Sequence, residues 1–373
     1  MTDKIIVIAI GGNALLSGKH VYNEDEQVSY LKKYVIPKIL SMAKSYKVVL
    51  THGNGPQVGY LMKQDDKTPL HEHVARTQED MGKWISRAIE EKDAKLKAVV
   101  VKTHVLVDRK DEAFKNYTKF VGRPIEVDEG GEYYDFWCHD VEFNAGRVKH
   151  EPGKDKPSAG GAPGVFVFRK VVPSPTPQKV IEHEVVSNYL KENDIVIACG
   201  GGGIPVTGKA DDFKPVDAVI DKDLTSKVLA LEIGADKFVV LTKGPGVVLI
   251  NKKTEANILN EIFQKVGKDR FEEIEKEYKD RYLKIINPDD WTFFRERAHF
   301  PPGSIGPKVE AVCEFADASG GGEAFIGDLK PDLKDILNNK TGTKIKKGLK
   351  TTFRNNQEVN VEETMIAYYG QMK

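Results

Sequence analysis

Apolar residues in this chain follow two habits, short continuous runs and stripes recurring at threes and fours. Ile5–Ile10 (IIVIAI) is the first run, and it ends at Gly11-Gly12. Similar runs stand at Lys47–Leu50, Ala98–Val107, Ile195–Cys199, Phe238–Leu241 and Val247–Ile250. Strands apolar on both faces belong in a parallel sheet covered by helices on both sides. The stripes supply those helices. In Glu24–Lys44 the apolar positions Val28, Leu31, Val35, Ile39 and Met42 recur at helical spacing, and Pro37 should kink or divide the segment. Leu224–Ile233 and Lys308–Ala316 behave alike, the second with Val309, Val312 and Cys313 on one stripe. Strand, glycine turn, helix, strand predicts an α/β fold: a three-layer αβα sandwich around a mainly parallel sheet.

Three segments break the rhythm. Residues 112–170 are rich in Gly, Pro, Tyr and charge, and Glu151–Gly164 (EPGKDKPSAGGAPG) reads as a flexible stretch within them. They suggest a lid subdomain projecting from the sandwich and inserted in one domain over 1–345. Residues 251–298 hold a charged amphipathic helix, Lys268–Tyr282, then aromatics at Trp291, Phe293 and Phe294, which we read as packing. Residues 346–373 form an extension, basic at first and polar afterwards, either solvated or strapped onto the sandwich. There is no internal repeat.

Charge narrows the classes of function. Lys plus Arg equals Asp plus Glu at 56 each, so no bulk charge recruits nucleic acid or an anionic membrane. Any anion must be handled by local groups. No apolar stretch approaches the roughly 20 residues that span a bilayer, and Met1–Lys4 carries no leader before the first strand, so a cytosolic protein is expected. Cys138, Cys199 and Cys313 lie far apart and read as reduced thiols, the last two as small core residues.

Candidate chemistry sits in the turns after the strands. Gly11-Gly12-Asn13 lets backbone amides approach an anion. In Thr51–Gly59 (THGNGPQVG), Gly53 and Gly55 flank Asn54, and Pro56 sits where a helix starts, a ready anion site. His52 is either an acid/base group or a hydrogen-bonded turn residue. Four glycines, Gly200–Gly203, end another strand, and we read them as ligand contacts because each carries an entropic cost on the order of 1 kcal/mol. Gly203–Ala210 imitates a P-loop, but Ala210 stands where Ser or Thr should bind Mg²⁺ and Asp211-Asp212 follow, so we reject it. No G-x-G-x-x-G follows a strand. His71-x-His73 and Cys138-His139 are weak metal candidates, and we assign no metal ligands.

Two lysines stand out. Lys222 lies between Asp221 and Asp223 at the junction of an apolar stretch and a helix. Lys308 follows Gly303, Gly306 and Pro307 in a helix's first turn, where a cation is disfavoured unless an anion binds there. Glycine amides, two fixed lysines and Mg²⁺ describe a phosphoryl-transfer site.

GGNAL at 11–15, HGNGPQVG at 52–59, VVPSP at 171–175, GGGGIPV at 200–206, AVIDKDL at 218–224, GPKVEA at 306–311 and KTGT at 340–343 resemble carbamate kinases of the amino acid kinase superfamily. The resemblance spans roughly residues 4–345. It implies a Mg²⁺-dependent, reversible exchange of a phosphoryl group between ATP and carbamate, forming carbamoyl phosphate and ADP. It also implies a cytoplasmic homodimer and a role in arginine metabolism. By resemblance, Gly11, Gly12, Asn13, Gly53, Asn54, Gly55 and Gly200, Gly201, Gly202 and Gly203 face carbamoyl phosphate. Lys222 and Lys308 act on the transferring group, Asp223 orients lysine, and Lys119 reaches in from the subdomain. Lys243, Gly244, Val247, Ser304, Gly306 and Lys308 would adjoin the nucleotide. Thr77-Gln78 is followed by Glu79-Asp80 rather than a glycine-containing helix start, and Phe120–Pro124 departs from the family's proline-rich pattern. These departures keep open a kinase for another small carboxylate or carbamoyl compound, or a silent homologue serving as sensor or scaffold.

Overall fold

The computed structural model describes residues 4–15, 22–117, 119–128, 136–138, 165–209, 212–242, 244, 246–248, 282–297 and 305–355. Among the described residues, nine strands form the main sheet. They are β1 (Ile5–Ile10), β2 (Lys47–His52), β3 (Ala98–Val100), β4 (Ile195–Ile197) and β5 (Lys237–Thr242), then β6 (Leu283–Ile286), β7 (Glu323–Asp328), β8 (Thr343–Ile345) and β9 (Thr352–Phe353). Their spatial order is β9-β6-β8-β7-β5-β1-β2-β4-β3. From β7 to β3 every pairing is parallel, and β8 and β9 enter antiparallel beside β7 and β6.

Both faces are covered. The helices are α1 (Glu24–Tyr30), α2 (Ile36–Ala43), α3 (Gly55–Gln64), α4 (Leu70–Glu90) and α5 (His183–Glu192), followed by α6 (Lys222–Glu232), α7 (Trp291–Arg297), α8 (Gly306–Ala318) and α9 (Leu333–Leu337). Ile6, Ile8 and Ile10 of β1 pack with residues of α1, α2, α4 and α9, while Val7 and Ala9 pack with residues of α5, α6 and α8. Alternate side chains of one strand thus feed two cores, which is why these strands are apolar throughout. The three-layer sandwich is as the pattern predicts.

Details differ where local breaks outvote the apolar run. Ala98–Val107 reads as one strand, but it divides into β3 and a second strand, His104–Val107, in a separate four-stranded sheet. Pro37 acts as expected: a wider π-helical turn over Leu31–Val35 separates α1 from α2. Lys119–Asp128, Phe136–Cys138 and Val165–Val172 build a three-stranded antiparallel sheet of their own. Of the run Val247–Ile250, Val248 makes an isolated bridge to Tyr282 among the described residues, while Leu249, Ile250 and all of the amphipathic helix expected over 268–282 but Tyr282 lie outside them. Trp291 and Phe294 are core residues packed in the same cluster as α6 and α8. The C-terminal extension begins as a strap, since β9 pairs with β6; residues 356–373 lie outside the described residues. Cys199 and Cys313 are buried and unpaired, and burial pushes the Cys199 thiol up to about 12 and the Cys313 thiol up as well.

Candidate active site

Because β1, β2, β4 and β5 run parallel, the turns that follow them gather at one end of the sheet. Three helices begin there. Asp221 caps α6 by accepting from the Asp223 amide at 2.9 Å, and Pro56 and Pro307 sit in the first turns of α3 and α8. Each start directs amide groups and the positive end of a helix dipole toward the sheet's carboxyl edge.

Gly12 and Gly53 are where the turns of β1 and β2 touch. A Cβ on Gly53 would lie 2.7 Å from the Gly12 nitrogen and 3.2 Å from Lys222 Cδ. Any side chain there would push the two turns apart and displace the lysine stem. Gly53 N–H donates to Ile10 O at 2.9 Å, and Asn54 Nδ2 donates to Thr77 Oγ1 at 2.7 Å, which secures the turn to α4.

At the centre stands Asp223, 1% exposed. Lys222 Nζ donates to its Oδ1, and Lys308 Nζ donates to its Oδ2 at 3.1 Å. Lys119 Nζ, from the separate three-stranded sheet, donates to Asp221 Oδ2. Three ammonium groups from segments far apart in the chain thus meet over two carboxylates. Against burial, which would raise it, Lys222 and Lys308 hold the Asp223 carboxyl below its ordinary range. Lys119, then Lys308 and Lys222, do the same for Asp221 against its burial. Burial pushes Lys222 down, with Asp223 opposing. Lys308 also feels burial, but Asp223 and Asp221 outweigh it and hold the ammonium above its ordinary value. The two lysines differ because Lys222, flanked by Lys308, is the more enclosed.

Supporting residues close the back of this centre. Ser226 Oγ donates to Lys222 O at 2.5 Å and lies 2.6 Å from Thr51 Oγ1, tying the first turn of α6 to β2. Thr225 Oγ1 donates to Gly202 O at 3.0 Å. None of these hydroxyls carries a motif legible on its own; only the places of Thr225 and Ser226 near the start of α6, and of Thr51 near the end of β2, hint at them.

The other expected site residues stand at different depths in the structure. Gly200–Gly203, read as ligand contacts, are buried against the protein itself. A Cβ at Gly200 would meet His52 Nε2 at 2.5 Å, at Gly201 Asn54 Nδ2 at 2.0 Å, and at Gly202 Ile220 O at 2.4 Å. Gly201–Gly203 also take positive φ, and the amides of Gly202 and Gly203 already donate to Cys199 O and Gly200 O. Four glycines are needed because the turn is wedged between β2 and α6, so it forms the wall behind the site. Val247 is fully buried; its N–H donates to Thr343 Oγ1 and its carbonyl accepts from Leu283 N. Gly11, Gly12, Gly55 and Gly306 remain partly open at the site's end of the sheet. Gly244 is described, whereas Lys243 and Ser304 lie outside the described residues, as does the side chain of Asn13.

His52 ends β2 fully buried, its Nδ1 3.4 Å from Gly53 O and its Nε2 without a partner. Burial brings its pKa down to about 4, so it is neutral at neutral pH and is a turn residue rather than a proton donor. His71 pairs with Asp217 and His73 with Asp65 O, so the two do not converge. Among the described residues no group of three or more His, Cys, Asp or Glu could hold a metal. Both oxygens of Asp223 are taken by lysines, and those of Asp221 by Lys119 and the Asp223 amide.

Residues 4–328 match the amino acid kinase family. Carbamate kinase of Pyrococcus furiosus is 33% identical over 92% of this chain and 99% of its own length. Carbamate kinase 1 of Enterococcus faecium is 33% identical over 88% of this chain and 94% of its own. Among solved structures, carbamate kinase from Giardia lamblia bound to AMP-PNP superposes with a TM-score of 0.69 at 30% identity, covering 92% of this chain and 99% of that one.

Proposed function

The chain belongs to the amino acid kinase family, with carbamate kinases related to it over nearly its whole length, and from that premise we propose that its lysine centre carries a reversible phosphoryl transfer between carbamoyl phosphate plus ADP and carbamate plus ATP. The observation behind this reading is the convergence of Lys222 and Lys308 on Asp223 beside three helix starts.

Phosphoryl transfer asks little covalent work of a protein. It needs the reacting oxygens held in line and the charge on the transferring group neutralised. Lys222 and Lys308 supply that charge from a largely dry setting, where it counts for more than in water. Asp223 holds both ammonium groups in place, so they are already oriented when the group passes between oxygens. Lys119 adds a third cation and links the three-stranded sheet to Asp221, which fits a lid over the acceptor. A carbamate oxygen is already anionic, so no general base is required, in keeping with a neutral His52. Gly11, Gly12 and Gly55 would present backbone to carbamoyl phosphate, and Gly244 and Gly306 would border the nucleotide. The Giardia relative's complex with AMP-PNP supports a nucleoside triphosphate as the donor. Mg²⁺ on that nucleotide, a homodimeric assembly and a cytoplasmic role in arginine metabolism complete the reading. No helix among the described residues is long and apolar enough to cross a membrane.

The test is a coupled assay of ATP formation from ADP and carbamoyl phosphate. Wild type should turn over, and Lys222→Ala and Lys308→Ala should each fall by on the order of 10²–10³. Intact ADP binding without any ATP would sink the carbamate reading and leave a kinase for another acceptor.

A further inference from the structure

A second lysine cluster lies at the other end of the same sheet, unused by the chemistry above. Lys237 opens β5 and Glu323 opens β7, and parallel register sets them side by side. Lys344 of β8 stands opposite Phe325, and Lys346 follows two residues later, on the same face by strand alternation. Register across three strands thus gathers three lysines around one carboxylate. Lys237 Nζ pairs with Glu323 Oε2, while Lys344 and Lys346 both donate to Oε1, at 2.6 and 2.9 Å. The ammonium groups of Lys237 and Lys344 stand 5.4 and 5.8 Å from the Phe325 ring centroid. Against burial, Lys237, Lys344 and Lys346 bring the Glu323 carboxyl down to about 2.

The charges do not balance. One carboxylate faces three ammonium groups; a second at this corner, Asp236, accepts from the Ile5 amide at 2.8 Å and acts with Glu323 and Lys4 on the Tyr46 hydroxyl nearby. Around Glu323 itself, among the described side chains, two positive charges are left over. Lys237, Glu323 and Lys344 side chains are only 18%, 17% and 19% exposed, so water screens them poorly, while Lys346 at 39% leaves the corner open to solvent. Ammonium groups held rigidly, partly desolvated and in excess favour an incoming anion of matching charge. The corner is roughly 20 Å from the catalytic end, the length of a six-residue strand.

We propose that Lys237, Lys344 and Lys346 form a second anion site that takes a small phosphate dianion. The ligand neutralises the two excess charges, and Glu323 holds the lysines in place for it.

The experiment is calorimetric titration of inorganic phosphate into the full chain, with excess AMP-PNP present to occupy the catalytic end. One phosphate should bind. Lys344→Gln and Lys237→Gln should each weaken it roughly tenfold, the loss of one charge-assisted hydrogen bond. Lys344→Arg should retain it, and Lys222→Ala should leave it unchanged. If Lys344→Gln unfolds, Lys346→Gln at the open side serves instead. Equal affinity in wild type and the Gln variants, loss in Lys222→Ala, or the same response to chloride at matched ionic strength overturns the proposal.

Discussion

The two ends of the main sheet carry lysine clusters of similar composition and opposite circumstance. At the carboxyl end, Lys119, Lys222 and Lys308 meet two carboxylates, and the central Asp223 is almost wholly enclosed. At the amino end, Lys237, Lys344 and Lys346 share Glu323 at an open corner. The first cluster is built on helix starts and glycine turns, the second on strand register alone. Ions in register are easy to assemble at a sheet's rim. Enclosing them is costly, since desolvation can exceed the pairing gained. The difference teaches that burial and surrounding backbone amides, rather than the ion pairs, distinguish a reaction centre from a charged rim.

Removing one carboxylate from each end breaks the comparison most sharply. Asp223→Asn strands two ammonium groups in a dry setting and should lower unfolding stability by about 3 kcal/mol, whereas Glu323→Gln should cost about 1 kcal/mol or less by denaturant melts at neutral pH. If both lose equally, enclosure is not what separates them. Next in size is the kinetic contrast. Lys222→Ala should drop ATP formation by on the order of 10²–10³, and Lys237→Ala by less than about twofold.

Acid sharpens the contrast further. His52, behind the catalytic cluster, titrates at about 4 when folded against an ordinary 6.5. Its folded form favours the neutral ring, so that stability is complete above pH 6.5 and is lost as pH falls toward 4. Up to about 3 kcal/mol is at stake, and His52→Gln should flatten that slope in melts taken across the window. Glu323, at about 2 when folded against 4.5, contributes stability present above pH 4.5 and lost as pH falls toward 2. Glu323→Gln should remove that lower window, which solvent screening at the open corner makes the weaker of the two, and leave the one above it untouched.

Local pattern made much of this molecule legible. Ile5–Ile10 is a strand from end to end, Pro37 divides its helix, and Lys222 and Lys308 are conspicuous as cations at helix starts. Ala98–Val107 was not legible, because two strands with Val101–Thr103 between them look the same as one when apolar on average. The tetraglycine turn was half legible. Its composition declares that no side chain fits, but not whether a ligand or the protein's own His52, Asn54 and Ile220 fills the space.

By itself, then, the sequence determined the layers of the fold, the starts of its helices and the residue types that handle phosphate, since each depends on neighbours a few positions away. The tertiary structure alone decided which charges meet. Lys119 meets Asp221 across 102 residues of chain and Lys308 meets Asp223 across 85, while Lys237, Glu323 and Lys344 meet by strand register. The physical reason is that electrostatic partnership depends on distance and burial in space, and the linear chain encodes neither until it packs.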